Sequence, residues 1–388
     1  MSNPQKKNVP ELRFPEFEGE WEEKKLGDLI KVNSGKDYKH LDKGDIPVYG
    51  TGGYMTSVSE PLSEIDAVGI GRKGTINKPY LLEAPFWTVD TLFYCTPKKE
   101  ADILFILSLF RKINWKLYDE STGVPSLSKQ TINKINRLVP TNKEQQKIGE
   151  FFSKLDRQIE LEEQKLELLQ QQKKGYMQKI FSQELRFKDE NGNDYPEWES
   201  KSIQEIFENK GGTALETEFN FDGNYKVISI GSYSINSTYN DQNIRVNKNK
   251  KTEKYILSKG DLAMVLNDKT KDGKIIGRSI FIDKDNQYIY NQRTERLIPF
   301  AENDNKFLWF LMNTDLIRNK IKGMMQGATQ VYINYSSIKL ISIQLPLLEE
   351  QQKIRGFLEV LSGITTEQLH KIDQLKERKK AFLQKMFI

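Results

Sequence analysis

Four short segments carry the side chains whose chemistry suits nucleic acid. Two of them are basic turns, which contain Arg72 and Lys73 in one case and Lys269, Lys271, Lys274 and Arg278 in the other. The other two are polar loops, with Ser121, Thr122, Ser126 and Ser128 in the first and Gln326, Thr329, Gln330 and Tyr332 in the second. Lysine and arginine neutralise phosphates, while hydroxyl and amide groups bond to base edges. We predict DNA contacts at these residues; the alternative is solvated turns and ordinary connecting loops.

The glycines around the first basic turn resemble a dinucleotide-binding motif. Gly69, Gly71 and Gly74 fit G-x-G-x-x-G. That motif requires a helix opening inside it, whereas residues 75–79 (TINKP) predict a turn followed by another strand. A basic hairpin is therefore the better interpretation, with no nucleotide site.

Catalytic motifs are missing from the sequence. It has no phosphate-cradling GK[ST] loop and no N-P-P-Y or D-P-P-F element of the amino-methyltransferases. Cys95 is the only cysteine, and His40 and His370 are the only histidines, so a zinc site or a catalytic triad is not expected. We predict a chain without catalysis, metal or cofactor of its own.

Composition indicates a folded protein of a reducing compartment. The 388 residues carry a net charge of +5 and 37% hydrophobic residues, with basic clusters at 245–278 and 111–137. A lone cysteine allows no internal disulfide. The first ten residues lack the apolar stretch of a signal peptide, and no apolar run is long enough to cross a membrane. We expect a cytoplasmic location and no membrane partner.

The elements that must position these segments are duplicated. Residues 139–181 and 345–387 align without a gap, and both contain Pro followed by EQQKI and end in QK-x-F. The sequence ELRF opens each half, at 11–14 and 184–187, and Trp21 and Trp198 follow. Such a long period indicates a duplicated half-molecule rather than a solenoid.

The two repeated segments predict long helices with a narrow apolar seam. Its members alternate in spacings of three and four: Ile148, Phe152, Leu155, Ile159, Leu166, Leu169, Tyr176 and Ile180 in the first, and Ile354, Leu358, Leu361, Thr365, Ile372, Leu375, Phe382 and Met386 in the second. Glu162 and Lys173, and equivalently Gln368 and Lys379, interrupt the seams. Antiparallel pairing of the two helices would give a rod of about 60 Å at 1.5 Å per residue. Alternatively, each helix covers the core of its own domain.

The rest of each half is a variable body, residues 18–138 in the first half and 198–344 in the second. The sequence of each body predicts strands first and a helix late, which indicates an α+β class. The expected strands are Asp45–Tyr49, Ala67–Ile70 and Phe86–Tyr94 in the first body, and Tyr225–Ile230, Asp261–Leu266, Ile275–Ile282 and Tyr288–Tyr290 in the second. The expected helices are Ile103–Leu117 and Lys306–Lys322.

Along the chain, a body is followed by a helix that begins with Pro-x-x-x-E-Q-Q-K-I, and a second body is followed by a second such helix. This order resembles the specificity subunit of type I restriction–modification systems. This resemblance covers nearly the whole chain. It implies two target-recognition domains that each read half of a split double-stranded DNA sequence. It also implies spacer helices that dock two methyltransferase subunits, which would bind S-adenosylmethionine and methylate adenine. Motor-nuclease restriction subunits would use ATP and magnesium.

The resulting interpretation is an α+β chain with a pseudo-two-fold internal repeat, in which two long antiparallel coiled-coil helices join two recognition domains. The expected ranges are 1–138 and 184–344 for the recognition domains, and 139–183 and 345–388 for the spacer helices. Partner-binding and spacer residues are expected at the helix starts: Gln145, Gln146, Ile148, Phe152 and Leu155, and Gln351, Gln352, Ile354, Leu358 and Leu361. The alternatives are a coiled-coil scaffold with two globular ends and a stand-alone nuclease.

Overall fold

The structure is a computed structural model that describes residues 8–388. It divides into two compact units. Unit 1 comprises the described residues up to Leu166 together with Gln368–Ile388, and unit 2 comprises Glu167–Glu367. Each unit therefore contains one variable body and a part of each long helix.

Unit 1 is built on two small sheets and one strand pair. Its strands are β1 (Glu22–Lys25), β2 (Ile30–Ser34), β3 (Ile46–Gly50), β4 (Gly53–Val58), β5 (Ala67–Gly71), β6 (Tyr80–Leu82), β7 (Trp87–Thr88), β8 (Leu92–Pro97) and β9 (Asn136–Val139). Its helices are α1 (Leu26–Leu29), α2 (Ile103–Lys112), α3 (Lys129–Lys134), the first part of α4 (Asn142–Phe181) and the end of α8 (Leu348–Lys385). The sheets have the orders β2-β8-β5-β6 and β4-β3-β7, and β1 pairs with β9.

The core of unit 1 forms where α2 packs against the central strand. Every residue of β5 is buried, which suits its Ala-Val-Gly-Ile-Gly sequence. Phe105 and Phe110 of α2 are buried in the same cluster as Val68 and Ile70. The side chain of Asp102 caps α2 by accepting from the Phe105 amide at 2.8 Å, a common way to satisfy the first free amides of a helix.

Unit 2 repeats this arrangement. Its strands are β10 (Glu199–Ser202), β11 (Phe207–Gly211), β12 (Tyr225–Ile228), β13 (Arg245–Val246), β14 (Leu262–Val265), β15 (Asn267–Asp268), β16 (Ser279–Phe281), β17 (Tyr288–Tyr290), β18 (Thr294–Pro299), β19 (Val331–Tyr332) and β20 (Ser342–Leu345). Its helices are the end of α4, α5 (Asn305–Met312), α6 (Asp315–Gly323), α7 (Tyr335–Ile338) and the first part of α8 (Leu348–Lys385). The sheet orders β11-β18-β14-β16 and β13-β12-β17, and the pair β10-β20, match those of unit 1 strand for strand.

The two long helices pair antiparallel within each unit. In unit 1 the ring of Phe151 on α4 lies 5.1 Å from that of Phe382 on α8, and Gln368 bonds to Glu162. In unit 2 the rings of Tyr176 and Phe357 are 5.2 Å apart. All the predicted seam positions are buried or half-buried. The predicted fold class is confirmed: α+β bodies, an internal repeat and long antiparallel helices.

The helix starts also belong to the body cores, as the alternative interpretation held. Ile148 and Phe152 are buried in the main cluster of unit 1, and Ile354 and Leu358 are buried in that of unit 2. Antiparallel pairing and coverage of the bodies therefore occur along the same helices.

The repeated ELRF and tryptophan residues fix the start of each half to a long helix. In unit 1 the buried carboxylate of Glu144 accepts from Arg13 and, at 3.3 Å, from the indole N–H of Trp21. In unit 2 Glu350 accepts from Arg186 and, at 3.1 Å, from the indole of Trp198. The glutamate of EQQKI thus anchors the segment that precedes each body.

Two predicted helices and one predicted strand are shorter or split. The helix expected at Ile103–Leu117 ends at Lys112, because Ile113 is extended and a 3-10 turn follows at Trp115–Tyr118. The helix expected at Lys306–Lys322 breaks into α5 and α6, where the Thr314 hydroxyl caps the second helix. The strand expected at Phe86–Tyr94 turns between Val89 and Leu92, so its two parts enter different sheets.

The strand expected at Ile275–Ile282 was predicted too long. It begins only at Ser279, as β16, because Gly277 has a φ of +72° that no strand accommodates.

Candidate nucleic-acid interface

Unit 1 brings its predicted basic turn and its polar loop together at one end of the sheet. The last pair of β5 and β8 is Gly71 opposite Leu92, and the Arg72 amide then donates to the Thr91 carbonyl at 2.8 Å. The polar loop lies alongside: Lys73 and Ser126 form a β-bridge, and the Leu127 amide donates to the Arg72 carbonyl at 3.0 Å. Two segments about 50 residues apart in sequence therefore form one surface.

One carboxylate fixes the polar loop of unit 1. Asp119 accepts from the amides of Ser121 and Ser126 at 3.0 and 2.9 Å, and from the Ser121 hydroxyl at 2.9 Å. These bonds, the one from the Ser126 amide first, lower the pKa of Asp119. Ser128 is engaged in the fold, because it caps α3 and donates to Glu120 at 2.9 Å. Thr122 is exposed.

The basic side chains of this surface face solvent. Arg72 and Lys73 are both exposed. The Arg72 guanidinium carbon lies 5.9 Å from the centre of the Phe93 ring, within cation–π range. Arg72 also donates to the Asp90 carbonyl at 3.5 Å, near the limit of a hydrogen bond. These weak contacts leave the guanidinium available to a phosphate or a base.

Unit 2 joins its basic turn to its polar loop in the same way. Here the junction is a strand pair, in which Asn267 of β15 faces Tyr332 of β19. Asp268 fixes the turn: its carboxylate accepts from the amide and hydroxyl of Thr270 at 2.9 and 3.0 Å and from the Ile275 amide at 2.8 Å. A further β-bridge pairs Gln326 with Tyr332.

Most predicted residues of unit 2 are displayed on this surface, and one is not. The exposed ones are Lys269, Lys271, Lys274, Gln326, Thr329, Gln330 and Tyr332. Arg278 is half-buried and donates to the Ser237 hydroxyl at 2.9 Å and to the Lys274 carbonyl at 3.2 Å. Burial lowers the pKa of Arg278 to about 10. Arg278 therefore stabilises the basic turn from inside unit 2 and is not displayed on the candidate interface.

The strand register reveals an arginine that sequence reasoning missed. Beyond the last pair of β14 and β18, Val265 with Thr294, the Leu266 amide donates to the Arg293 carbonyl at 2.9 Å. Leu266 and Arg293 thus occupy the places of Arg72 and Thr91 in unit 1. Each unit places one arginine at this strand end, but on opposite strands.

Arg293 is held in an unusual conformation. Its φ is +67°, which is uncommon for a residue other than glycine and often marks a functional position. The side chain is exposed, and no hydrogen bond or ion pair to another of residues 8–388 engages it. No sequence signal pointed to it, because the bodies share topology without recognisable sequence similarity.

The predicted spacer residues lie mostly inside their units. The buried Gln145 side chain accepts from the Asp102 amide at 3.1 Å, and Gln351 accepts equivalently from the Asp304 amide at 2.9 Å. Each glutamine therefore ties a long helix to the start of a body helix. Of the remaining members, Leu155 and Leu361 are half-buried, whereas Gln146 and Gln352 reach solvent.

The described residues contain no cluster of three or more His, Cys, Asp or Glu side chains that could hold a metal ion. Cys95 is buried, which raises the pKa of its thiol. Within residues 8–388, none of the helices combines the length and apolar character that crossing a membrane requires.

Comparison with known proteins identifies the family. The family described as Type I restriction modification DNA specificity domain matches residues 18–171 and 195–377. The chain belongs to this family. The type I restriction enzyme MjaVIII specificity subunit of Methanocaldococcus jannaschii is 24% identical, over 97% of this chain and 93% of the relative.

Two solved structures share the fold of this family member. The type I restriction–modification S subunit from M. genitalium has a TM-score of 0.64 at 14% identity, covering 98% of this chain and 99% of that one. A structure described as showing complex assembly and conformational transition of the type I system has a TM-score of 0.58 at 14% identity, covering 94% and 97%. The resemblance predicted from the EQQKI repeats is confirmed.

Proposed function

We propose that this chain is the DNA sequence-recognition subunit of a type I restriction–modification complex and that it binds a bipartite double-stranded target. Residues 1–138 and 184–344 would be the two target-recognition domains, and 139–183 and 345–388 the spacer helices. The observation that carries the proposal is the duplicated surface, in which a basic turn and a polar loop meet at the same sheet end of each unit. Two copies of one surface suit two half-sites.

Within each half-site, the proposal assigns phosphate contacts to the flexible lysines and base contacts to the fixed positions. Lys73, Lys269, Lys271 and Lys274 are point charges on exposed turns, which suits the phosphate backbone. Arg72 and Arg293 lie at strand ends: the Arg72 backbone is hydrogen-bonded through both its amide and its carbonyl, and the Arg293 carbonyl accepts from the Leu266 amide. An exposed guanidinium that is free of strong partners and is carried on an ordered backbone suits the two-pronged recognition of guanine.

The chemistry would reside on partners. We propose that the chain positions two adenine methyltransferase subunits, which carry S-adenosylmethionine, and restriction motor-nuclease subunits, which use ATP and magnesium. The chain itself would be non-catalytic and would act in the cytoplasm beside its DNA. Exposed Gln146 and Gln352, at the equivalent place in both long helices, are candidates for partner contact.

The test is co-expression of the chain with an adenine methyltransferase subunit of a type I system from the same genome, in a host without either, followed by methylome sequencing. We expect one split motif, with two defined halves and an unspecified spacer, that disappears when the chain is omitted. Methylation that is independent of the chain, or a continuous motif, would contradict the proposal. DNA cleavage by the purified chain alone would instead support a nuclease.

A further inference from the structure

Unit 1 contains a basic pocket at the sheet end opposite Arg72. Its volume is about 510 Å³. Four lysines line it from four elements: Lys25 before α1, Lys31 on β2, Lys98 after β8 and Lys134 at the end of α3. Strand β8 runs from Leu92, beside Arg72, to Pro97, beside Lys98. The pocket is therefore separate from the candidate nucleic-acid interface.

The charge of the pocket is largely uncompensated. Among the described residues, no carboxylate lies within 4 Å of the ammonium groups of the four lysines. The one acidic side chain of the lining, Asp28, accepts from the Lys25 amide at 3.1 Å and closes the turn into α1. Lys98 donates to the Gly27 carbonyl, which holds its ammonium group at the pocket. Four like charges around one pocket repel one another, and a bound anion would relieve that repulsion.

Unit 2 shows that the fold does not require these lysines. In unit 1 the Lys98 amide donates a hydrogen bond to the Leu29 carbonyl at 2.8 Å, and in unit 2 the Phe300 amide donates to the Ile206 carbonyl at 2.9 Å. Likewise the Leu26 amide donates to the Ile135 carbonyl at 2.8 Å, and the Ile203 amide donates to the Ile341 carbonyl at 3.1 Å. By this register Lys25, Lys31, Lys98 and Lys134 correspond to Ser202, Glu208, Phe300 and Leu340. The same turn, strand and helix form in unit 2 with none of the four charges.

We propose that this pocket is a binding site for an anion that carries two or more phosphate groups. Lysine ammonium groups are compact charges that bind phosphate oxygens from several directions. The side-chain amides of Gln130 and Asn133 in the lining add neutral donors. The phosphates belong either to a free phosphoanion or to a nucleic-acid backbone, which present the same chemistry to the lysines. Only unit 1 has the site, so each chain binds one such ligand here.

The test exploits the residues of unit 2, which the fold already accepts. Lys25→Ser with Lys31→Glu copies Ser202 and Glu208 into the full chain. The matched control, Lys143→Ser with Lys116→Glu, makes the same charge change at exposed lysines outside the pocket. Binding of inorganic triphosphate is titrated calorimetrically, and melting temperatures check that both variants fold.

We expect saturable triphosphate binding to the parent, at least tenfold weaker binding to the pocket variant and unchanged binding to the control. Competition between triphosphate and a duplex of random sequence at this site would identify the backbone as the source; triphosphate binding without competition would identify a free phosphoanion. No saturable binding to the parent, or equal losses in both variants, would overturn the proposal. If the double pocket variant does not fold, Lys31→Gln takes its place. Weaker triphosphate binding to Lys31→Gln would support the proposal, and unchanged binding would overturn it.

Discussion

Arg186 and Glu350 are joined by two charge-assisted hydrogen bonds, from Nε to Oε1 and from Nη2 to Oε2, each 2.9 Å long. Arg13 and Glu144 repeat this pairing at 2.8 and 2.7 Å. Both carboxylates are fully buried, and the bond to the carboxylate raises the pKa of each arginine. The pair is therefore a fixed joint between the start of each half and its long helix.

Removing one partner of this joint should be costly. Arg186→Ala would leave the Glu350 carboxylate buried and unpaired, and we expect the free energy of unfolding to fall by about 3–5 kcal/mol. The double variant Arg186→Leu with Glu350→Leu should recover much of the loss, since it leaves no buried charge. Denaturant melts of both variants check this. A single variant as stable as the parent would show that the pair contributes little.

The basic turn of unit 1 should contribute to DNA affinity through a phosphate contact of Lys73 and a base contact of Arg72. Arg72→Ala with Lys73→Ala should weaken binding by the assembled complex and reduce its salt dependence by about one unit of slope for each lost phosphate contact. The control Lys116→Ala with Lys143→Ala removes equal charge elsewhere on unit 1. Binding measured across a salt series distinguishes the two. Equal salt dependence of binding for the parent and the variant would show that this turn makes no phosphate contact with the DNA.

Arg293 should determine one base pair of the half-site read by unit 2. We expect Arg293→Ala to weaken cognate binding by about 1–3 kcal/mol and to abolish discrimination at a single G·C pair. Arg293→Lys keeps the charge without the two-pronged geometry and should restore affinity more than discrimination. Competition with a panel of half-site variants is the measurement. A uniform loss across the panel would indicate a phosphate contact instead.

The buried Glu295 on β18 should make stability depend on pH. Burial raises its pKa, although Asn209 donates to it at 2.7 Å. Because the folded pKa exceeds the unfolded one, the folded state binds the proton more tightly, and stability falls as pH rises through the folded value. Glu295→Gln keeps an acceptor and cannot ionise. The melting temperature of this variant should therefore exceed that of the parent, and the difference should increase from acid to neutral pH.

The matched control for this prediction is Glu208→Gln, an exposed change on the neighbouring strand β11. It should follow the parent at every pH. A constant difference between Glu295→Gln and the parent from pH 4 to pH 9 would show that the Glu295 proton is not the cause.

The long-range repeat was predictable from the sequence, because the helix starts need the same anchors in both halves. Glu144 and Glu350, which bond the arginine and tryptophan, and Gln145 and Gln351, which bond a body helix, leave little freedom to change. The apolar seam was predictable for a different reason, because helical periodicity depends only on neighbours along the chain.

The local breaks and the individual site residues were not predictable. Apolar periodicity predicts that each body helix continues to Leu117 or Lys322. The extended backbone at Ile113 ends the first of these helices early, and the Thr314 cap begins a new helix within the second. Arg278 has the charge of a DNA contact, but it is half-buried and donates to Ser237, which lies 41 residues away in the sequence. Arg293 becomes comparable with Arg72 only through the pairing of strands that are distant along the chain. The places of these residues follow from the pairing of strands and the packing of the folded chain, which no local sequence pattern reveals.

Glu162 and Gln368 occupy the same position in the two repeats, yet they touch: the Gln368 amide donates to the Glu162 carboxylate at 2.7 Å and to its carbonyl at 2.9 Å. A half-length ancestor with one such helix would have placed this residue against its own copy in a homodimer. Two glutamates there would repel, whereas an acid and an amide complete each other's hydrogen bonds. Divergence at this self-facing position therefore favours pairing of the first long helix with the second over pairing of two copies of the first.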